Sequence, residues 1–600
     1  MKINKFFNEI NLDHSDRYYL IALFCFSILI TIVMIKFHQT RGAFNSDIFR
    51  YLPAALDFAG LNYNHISDPS WMFNSPVIFY LTSLMFKLGF VHINSIFFVT
   101  GIFGIIGIFG MYAFLKVRFS PLLSFTGALL YSSFSLTLFY FANGMLDTSA
   151  VAMFLWTIVF LVAATKNYKF YPILAISFLI SIFIRFTNTY TLSLIVLYIL
   201  KDYDLVTLIE SLFYNKIEFK QRISTFFKSH EFKYILLSIS LSVIIIAYVF
   251  HVLLSYGSVI GYFGMASNSF SHFHSLDNFN YVDDRLFYFK NYLSLLFTDS
   301  ITSIGMIEQF NNPSLFSYII IGIFAIGAVL KFINVFKNLK VYKNYRKELD
   351  FKHETSYIFY LAIVLILGIL SIILMDYNYL MSLLCIWLIF LILISIIKLY
   401  PVNKDNFSFS LVCLALFIFY MIIFSLMDLK CVRYILITFT SFTYFFIYFL
   451  DVLLNFIKFG WDDEEIIFSK FNSIDLKEIK KPKSNLRKNF SRCIPIVIIL
   501  ICLFSAFNFT NTVEVDKIGL SIDDVSNYLI DYDPDYQSKK IGVKSGEMFY
   551  EWYFQKKIDV VDVDNLNNSY YDYIITWPEL NDDNYKEIYN SNGTFLYEKY

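Results

Sequence analysis

Four separated stretches carry the residues with chemical potential. "RGAFNSDIFRYLPAALDFAG" (41–60) holds Asp47, Arg50, Tyr51 and Asp57. "FANGMLDTSAVAM" holds Asp147, and "SIFIRFTNTY" holds Arg185. "SLMDLKCVRYILI" holds Lys430, Arg433 and Tyr434, with Asp428 beside them, and Asp68 lies in the loop after the first stretch. Each stretch borders an apolar run, where ionisable groups are costly and tend to be functional. Carboxylates opposite cations on one membrane face suit a reaction at a lipid phosphate. A phosphate that carries a sugar is already a good leaving group, so no general acid is needed. One carboxylate, Asp47, then takes the proton of an acceptor hydroxyl, and Asp147 is the second carboxylate. Arg185, Lys430 and Arg433 stabilise the departing phosphate, while the anomeric carbon passes through an oxocarbenium-like state.

Simpler roles compete with these. Asp47 suits a helix N-cap with Arg50 as its i,i+3 partner. Asp147 suits the N-cap of the next span, and the three cations suit snorkelling anchors. His272 and His274 have a spacing that a metal could use, but two histidines do not make a site. A single Asp47 followed by Ile48 is a poor oxygen cage for Mg²⁺ or Mn²⁺. No obligatory cofactor is therefore expected, and a divalent metal is left open.

These residues must be positioned by membrane helices. Of the 600 residues, 57% are hydrophobic and only 16% charged, against about 25% in soluble domains; the mean hydropathy is +0.57. The composition predicts a polytopic α-helical membrane protein and gives no sign of nucleic-acid binding. Apolar runs at 19–37, 95–115, 121–140, 148–165, 171–184, 187–200, 234–254, 315–333, 357–374, 380–398, 407–426, 434–452 and 493–509 read as about thirteen spans. Cys25, Cys385, Cys413, Cys431, Cys493 and Cys502 show neither metal spacing nor a disulfide framework. The polar start, Met1 to Tyr18, followed by a long apolar run, does not read as a cleavable signal.

Thirteen is odd, so the termini are expected on opposite sides. Basic stretches at 201–233, 334–356 and 453–492, together with Lys116 and Arg118, fall on one side of this scheme. Positive-inside logic makes that side cytoplasmic, with the N-terminus inside and the C-terminus extracytoplasmic. The candidate residues then share the outer face. In the outer loop, 38–94, Asp47 to Gly60 and "NSPVIFYLTSLMFKLGF" (74–90) read as interfacial helices, the first ending on a glycine cap. The chain divides into 1–512 in the membrane and a small extracytoplasmic α/β domain at 513–600. In that domain Ser521 to Asp524 reads as a capping box, opening a helix to about Leu529. "KKIGVKS", "IDVVDV", "YDYIITW" and "GTFLYEKY" read as strands, and "GEMFYEWYFQKK" and "DDNYKEIYN" as helices. The aromatics of "FYEWYF" suit either a core or a surface for stacking on sugar. Asn508, Asn567 and Asn592 begin glycosylation sequons.

Taken in order, these motifs resemble the GT-C membrane glycosyltransferases, specifically the protein O-mannosyltransferase and lipid A aminoarabinose transferase group. The pattern Asp-Glu-x-x-Tyr-x-x-x-Ala with a later glycine is matched by Asp47, Tyr51, Ala55 and Gly60, and Pro76 matches a proline of the following helix. Asp147, the hairpin with Arg185 and "LKCVRYILI" resemble later parts of the same pattern. Ile48 departs from it, standing where the group has Glu, and Ser75 stands where it has the first of two prolines. The resemblance implies a GT-C fold and transfer of a sugar from a polyprenyl- or dolichyl-phosphate donor to a protein, glycan or lipid acceptor. It also implies substrate-binding roles for Arg50, Tyr51, Asp57, Arg185, Lys430, Arg433 and Tyr434. The alternative is a lipid-linked sugar binder without activity, or a transporter or flippase; a transporter would show paired halves with broken helices at mid-membrane, and no such pairing is visible.

Overall fold

The computed structural model describes residues 14–41, 47–62, 66, 74–200, 216–255, 284–304, 307–348, 354–374, 378–396, 404–427, 430–460, 485–562, 571–577, 579–580 and 582–600. Asp68, His272, His274, Asp428 and Asn567 lie outside them, as do 201–215, 349–353 and 461–484 of the basic loops. The chain is a multi-pass helical membrane protein. Among the described residues, eight helices are long and apolar enough to cross a membrane. Of the other five expected spans, 357–374 and 380–398 fall on the helices Glu354–Leu374 and Tyr379–Ile396, of 21 and 18 residues. Tyr168–Ile184 and Phe186–Leu200 are shorter, with 10–17 residues each. The run 121–140 is not one helix but two, Pro121–Ser133 and Ser135–Phe139, divided at the extended Phe134. The Ser132 and Ser133 hydroxyls both donate back to the Leu129 carbonyl there, a bonding pattern that bends helices.

Two helices set the frame of the site. Asn94–Lys116 packs along Leu146–Lys166 through glycines whose missing side chains let the backbones approach. A Cβ on Gly107 would lie 3.1 Å from Cβ of Ala152, and one on Gly110 3.2 Å from Cβ of Leu155. The indole of Trp156 donates to the Ile106 carbonyl at 3.0 Å, locking the register. At the far end Lys116 pairs with buried Asp16 at 3.3 Å, and Arg118 donates to the Tyr444 hydroxyl at 2.8 Å. These charges tie the helix ends together on the side away from Asp147.

The two short surface helices, Ile48–Ala59 and Pro76–Lys87, pack on each other. Gly60 ends the first with φ +72°, the left-handed cap expected of it.

Beyond the helix Asn485–Thr512 the chain forms a helix, Lys517–Tyr532, and a mixed five-stranded sheet. The strands lie side by side in the order Asp559–Val560, Ile541–Val543, Tyr573–Thr576, Thr594–Lys599, Tyr585–Ser591. Two expectations are corrected. The helix opens earlier than Ser521: Asp516 caps it, accepting from the Gly519 N–H at 3.1 Å, while Ser521 is interior and bonds the Thr594 hydroxyl at 2.6 Å. "DDNYKEIYN" is a strand, not a helix. Asn592 and Gly593, both at positive φ, form a two-residue turn that pairs it with the last strand. An Asn-Gly hairpin signal outranks helical spacing in so short a segment. The aromatics of Glu547–Phe554 are mostly buried. Phe549 meets Phe49 at 4.8 Å, and Trp552 stacks on Phe86 at 6.0 Å, so they seat the domain on the surface helices. Lys557 adds a hydrogen bond to the Ile66 carbonyl at 3.2 Å.

Candidate active site

Asp47 immediately precedes the helix Ile48–Ala59, but its side chain makes no cap hydrogen bond. It turns instead to Arg433, whose Nη2 donates to Asp47 Oδ2 at 2.6 Å. Arg50, one turn on, stands 3.8 Å from the other oxygen. The same Arg433 directs Nε toward Asp147 Oδ2 at 4.0 Å, and Arg185 donates to Asp147 Oδ1. The result is a chain of alternating charge: Arg50, Asp47, Arg433, Asp147, Arg185. Its members come from four segments and close only in three dimensions. Asp147 is the deepest, 3% exposed, while Asp47 and Arg433 are 15% and 13% exposed.

Asp147 is not the N-cap of its helix. Met145 holds that place and Asp147 sits in the first turn, where the helix dipole favours its charge. The turn before it is pinned from several sides. Gly144, at φ +82°, donates its N–H to the Thr100 hydroxyl at 3.1 Å, and a side chain there would press on Ile96 and Phe97. Asn143 accepts from the Met145 N–H at 3.0 Å, and His38 bonds the Phe141 carbonyl at 3.1 Å. Arg185 follows the helix Tyr171–Ile184 in an extended conformation. Asn188 holds that hairpin tip to Asp147's own helix, donating to the Ala150 carbonyl at 3.1 Å and to the Ser181 hydroxyl at 2.6 Å. Sequence reasoning missed Gly144, Thr100, His38 and Asn188. Asn143-Gly144 is a turn signal that could have marked the first; the others make contacts distant in sequence.

Tyr434 lies under both guanidinium groups, with Arg185 4.9 Å and Arg433 5.9 Å from its ring centre. Tyr51 is buried against Phe79 at 5.2 Å. Burial first, then the charge of Asp47, pushes its hydroxyl well above the ordinary tyrosine value, so it stays protonated as a donor. The space bounded by Asp147, Arg185, Asn188, Tyr420, Arg433 and Tyr434 is about 10 Å³, room for about one water. An anion that enters this space therefore takes the place of a carboxylate beside an arginine.

Two expected members stand elsewhere. Lys430 is buried, and its ammonium donates to the carbonyls of Phe424 at 3.3 Å, Ser425 at 2.7 Å and Met427. It thereby serves the C-terminal end of the helix Lys404–Leu426, where a cation is favoured. Asp57 accepts from the Asn62 amide at 2.7 Å and braces the loop after its helix. A divalent cation does not fit the carboxylate pair as it stands. Asp47 and Asp147 face guanidinium groups, and among the described residues no three His, Cys, Asp or Glu side chains gather as a metal site.

Asp147 and Arg185, two of the joined residues, lie in a segment with a family match. Residues 73–214 match the family model described as dolichyl-phosphate-mannose-protein mannosyltransferase. Asp47 and Arg433 lie outside the matched residues. No curated protein matches the chain. Among solved structures, ArnT from Cupriavidus metallidurans bound to undecaprenyl phosphate is similar at 10% identity and TM-score 0.46, over 96% of this chain and 97% of that one. The archaeal oligosaccharyltransferase AglB from Archaeoglobus fulgidus, in complex with an inhibitory peptide and a dolichol-phosphate, is similar at 10% identity and TM-score 0.44, over 94% of this chain and 70% of that one.

Proposed function

We propose that this protein is a membrane glycosyltransferase that moves a sugar from a polyprenyl- or dolichyl-phosphate to an acceptor hydroxyl at the end bearing the C-terminal domain. The observation that carries the reading is the junction of Asp47, Asp147, Arg185 and Arg433 at that end. The acceptor oxygen bonds the anomeric carbon as the bond from that carbon to the phosphate oxygen breaks. The lipid phosphate leaves with the bonding electron pair, and the hydroxyl proton passes to Asp47. Arg433 exchanges Asp47 for the departing phosphate and so releases Asp47 to act as base, while Arg185, still held by Asp147, adds its positive charge beside that phosphate. Asp147 keeps the two guanidinium groups together and orients sugar hydroxyls. The chemistry needs no metal, because the guanidinium groups supply the positive charge. That end is extracytoplasmic and the N-terminus cytoplasmic, as the basic loops argue.

Purified protein in nanodiscs, given a panel of radiolabelled lipid-phosphate sugars with dolichyl-phosphate mannose among them, tests the reading. Asp47→Asn should abolish transfer while donor binding persists. Near-normal turnover in that variant would remove Asp47 as base. A parental protein that binds donors but transfers none would favour a non-catalytic binder, a reading that Ile48, fully buried where the resembled group has Glu, also suits.

A further inference from the structure

A second cleft, of about 660 Å³, opens between the surface helices and the C-terminal domain, a volume typical of ligand sites. Asp47, Asp147, Arg185 and Arg433 are not among the residues that line it. Its two sides differ in chemistry. On the side of the surface helices Leu56, Leu61 and Ile93 supply apolar surface, with Gln39 and His92 beside them. Asp523 and Asn527, one turn apart on Lys517–Tyr532, supply a carboxylate and an amide already joined at 3.1 Å. Tyr553 lines the cleft beside Asp523, its hydroxyl pushed up by burial and by that carboxylate, so it stays protonated as a donor.

This pairing of walls selects a class of ligand. Among the described residues no lysine or arginine lines the cleft, and the charge of Asp523 opposes an anion, so a phosphate is disfavoured. A lipid tail would take water from the carboxylate and amide and offer them no hydrogen bond in return. A sugar ring has one face of C–H groups and an edge of hydroxyls, which match apolar surface on one side and a carboxylate–amide pair on the other. We infer that this cleft is a carbohydrate subsite that holds a sugar of a glycan acceptor away from the hydroxyl that reacts. The helix Ile48–Ala59 joins the two places: Leu56 lies about 13 Å along its axis from Asp47. The acceptor is then an oligosaccharide or glycoconjugate long enough to span them, whose remote ring positions the reacting end.

The inference rests on the transfer reading, and the experiment separates the two. Full-length protein in nanodiscs is probed by saturation-transfer NMR with α-mannobiose, N-acetylchitobiose and cellobiose. At least one disaccharide should bind. Binding should weaken about tenfold or more in Asp523→Ala/Asn527→Ala, which removes several hydrogen bonds to the ring. It should weaken equally in Leu61→Trp, which fills the cleft from the opposite wall and keeps the polar pair. It should persist in Asp47→Asn, which stops transfer. Absence of binding to all three probes, or binding that survives both cleft variants, overturns the subsite. Loss of binding in Asp47→Asn with retention in the cleft variants places the sugar at the reaction centre and overturns it equally. Transfer that survives Asp47→Asn sinks the transfer reading, while the binding arms still report on the cleft.

Discussion

Arg433 touches both carboxylates, so its replacement tests whether the charge chain acts as a unit. Its Nη2 lies 2.6 Å from Asp47 and its Nε 4.0 Å from Asp147. A bare pair 4 Å apart is worth about 4 kcal/mol at an effective dielectric of 20, before desolvation and screening offset much of it. A hydrogen bond between charged groups contributes about 1.5–3 kcal/mol net, and that is the coupling expected between Arg433 and Asp47. Loss of one transition-state donor slows an enzyme roughly 10²–10³-fold. Arg433→Gln should slow transfer by that much, and Arg433→Lys nearly as much, because an ammonium lacks the planar fork that reaches two carboxylates. The assay is the initial rate of sugar transfer in nanodiscs for Arg433→Gln, Asp47→Asn and the double variant. Residues that act together are non-additive, so the double variant should be no slower than the worse single one. Multiplicative losses, or an Arg433→Gln rate within about threefold of the parent, would refute a shared role.

Other outcomes follow from particular contacts. Lys430→Met should lower thermal stability by about 1–3 kcal/mol, by removing the donor to the helix-end carbonyls; the turnover of the folded fraction should be near the parent's, and a full loss of turnover would return Lys430 to the site. Gly327→Ala would place a Cβ 2.3 Å from the Phe449 backbone oxygen, so it should cost about 1–3 kcal/mol by overpacking, read as a lower melting temperature. Burial raises the Glu551 carboxyl above its ordinary value, only partly offset by Lys557. Ionising a carboxyl whose folded value is raised costs stability as pH rises from its unfolded value through the folded one. Glu551→Gln should therefore melt higher than the parent at neutral pH and lose that advantage in acid; equal melting at both would contradict this. In a cysteine-free background, exposed Ser538→Cys should react with an impermeant maleimide added outside and exposed Ser224→Cys should not; the reverse pattern would invert the topology.

The sequence alone determined the membrane class, because a run of apolar residues long enough to span needs no partner to be recognised. It also determined the two surface helices and the Gly60 cap, whose signals lie within a few residues of each other. It marked Asp47, Asp147, Arg185 and Arg433 by the cost of charge beside apolar runs, without saying which would meet. Only the tertiary structure decided that Arg433 bridges Asp47 and Asp147, some 290–390 positions away in the chain, since nothing local encodes a contact between distant segments. It also decided against Lys430, whose motif places it beside Arg433 while its ammonium serves a helix end instead. Ser521 and "DDNYKEIYN" lost to stronger neighbours instead: Asp516 caps the helix first, and the Asn592-Gly593 turn folds the second segment into a hairpin. The cleft beside Asp523 had no counterpart in the sequence reading, because its two walls belong to segments more than 400 residues apart and exist as a site only where the domain docks.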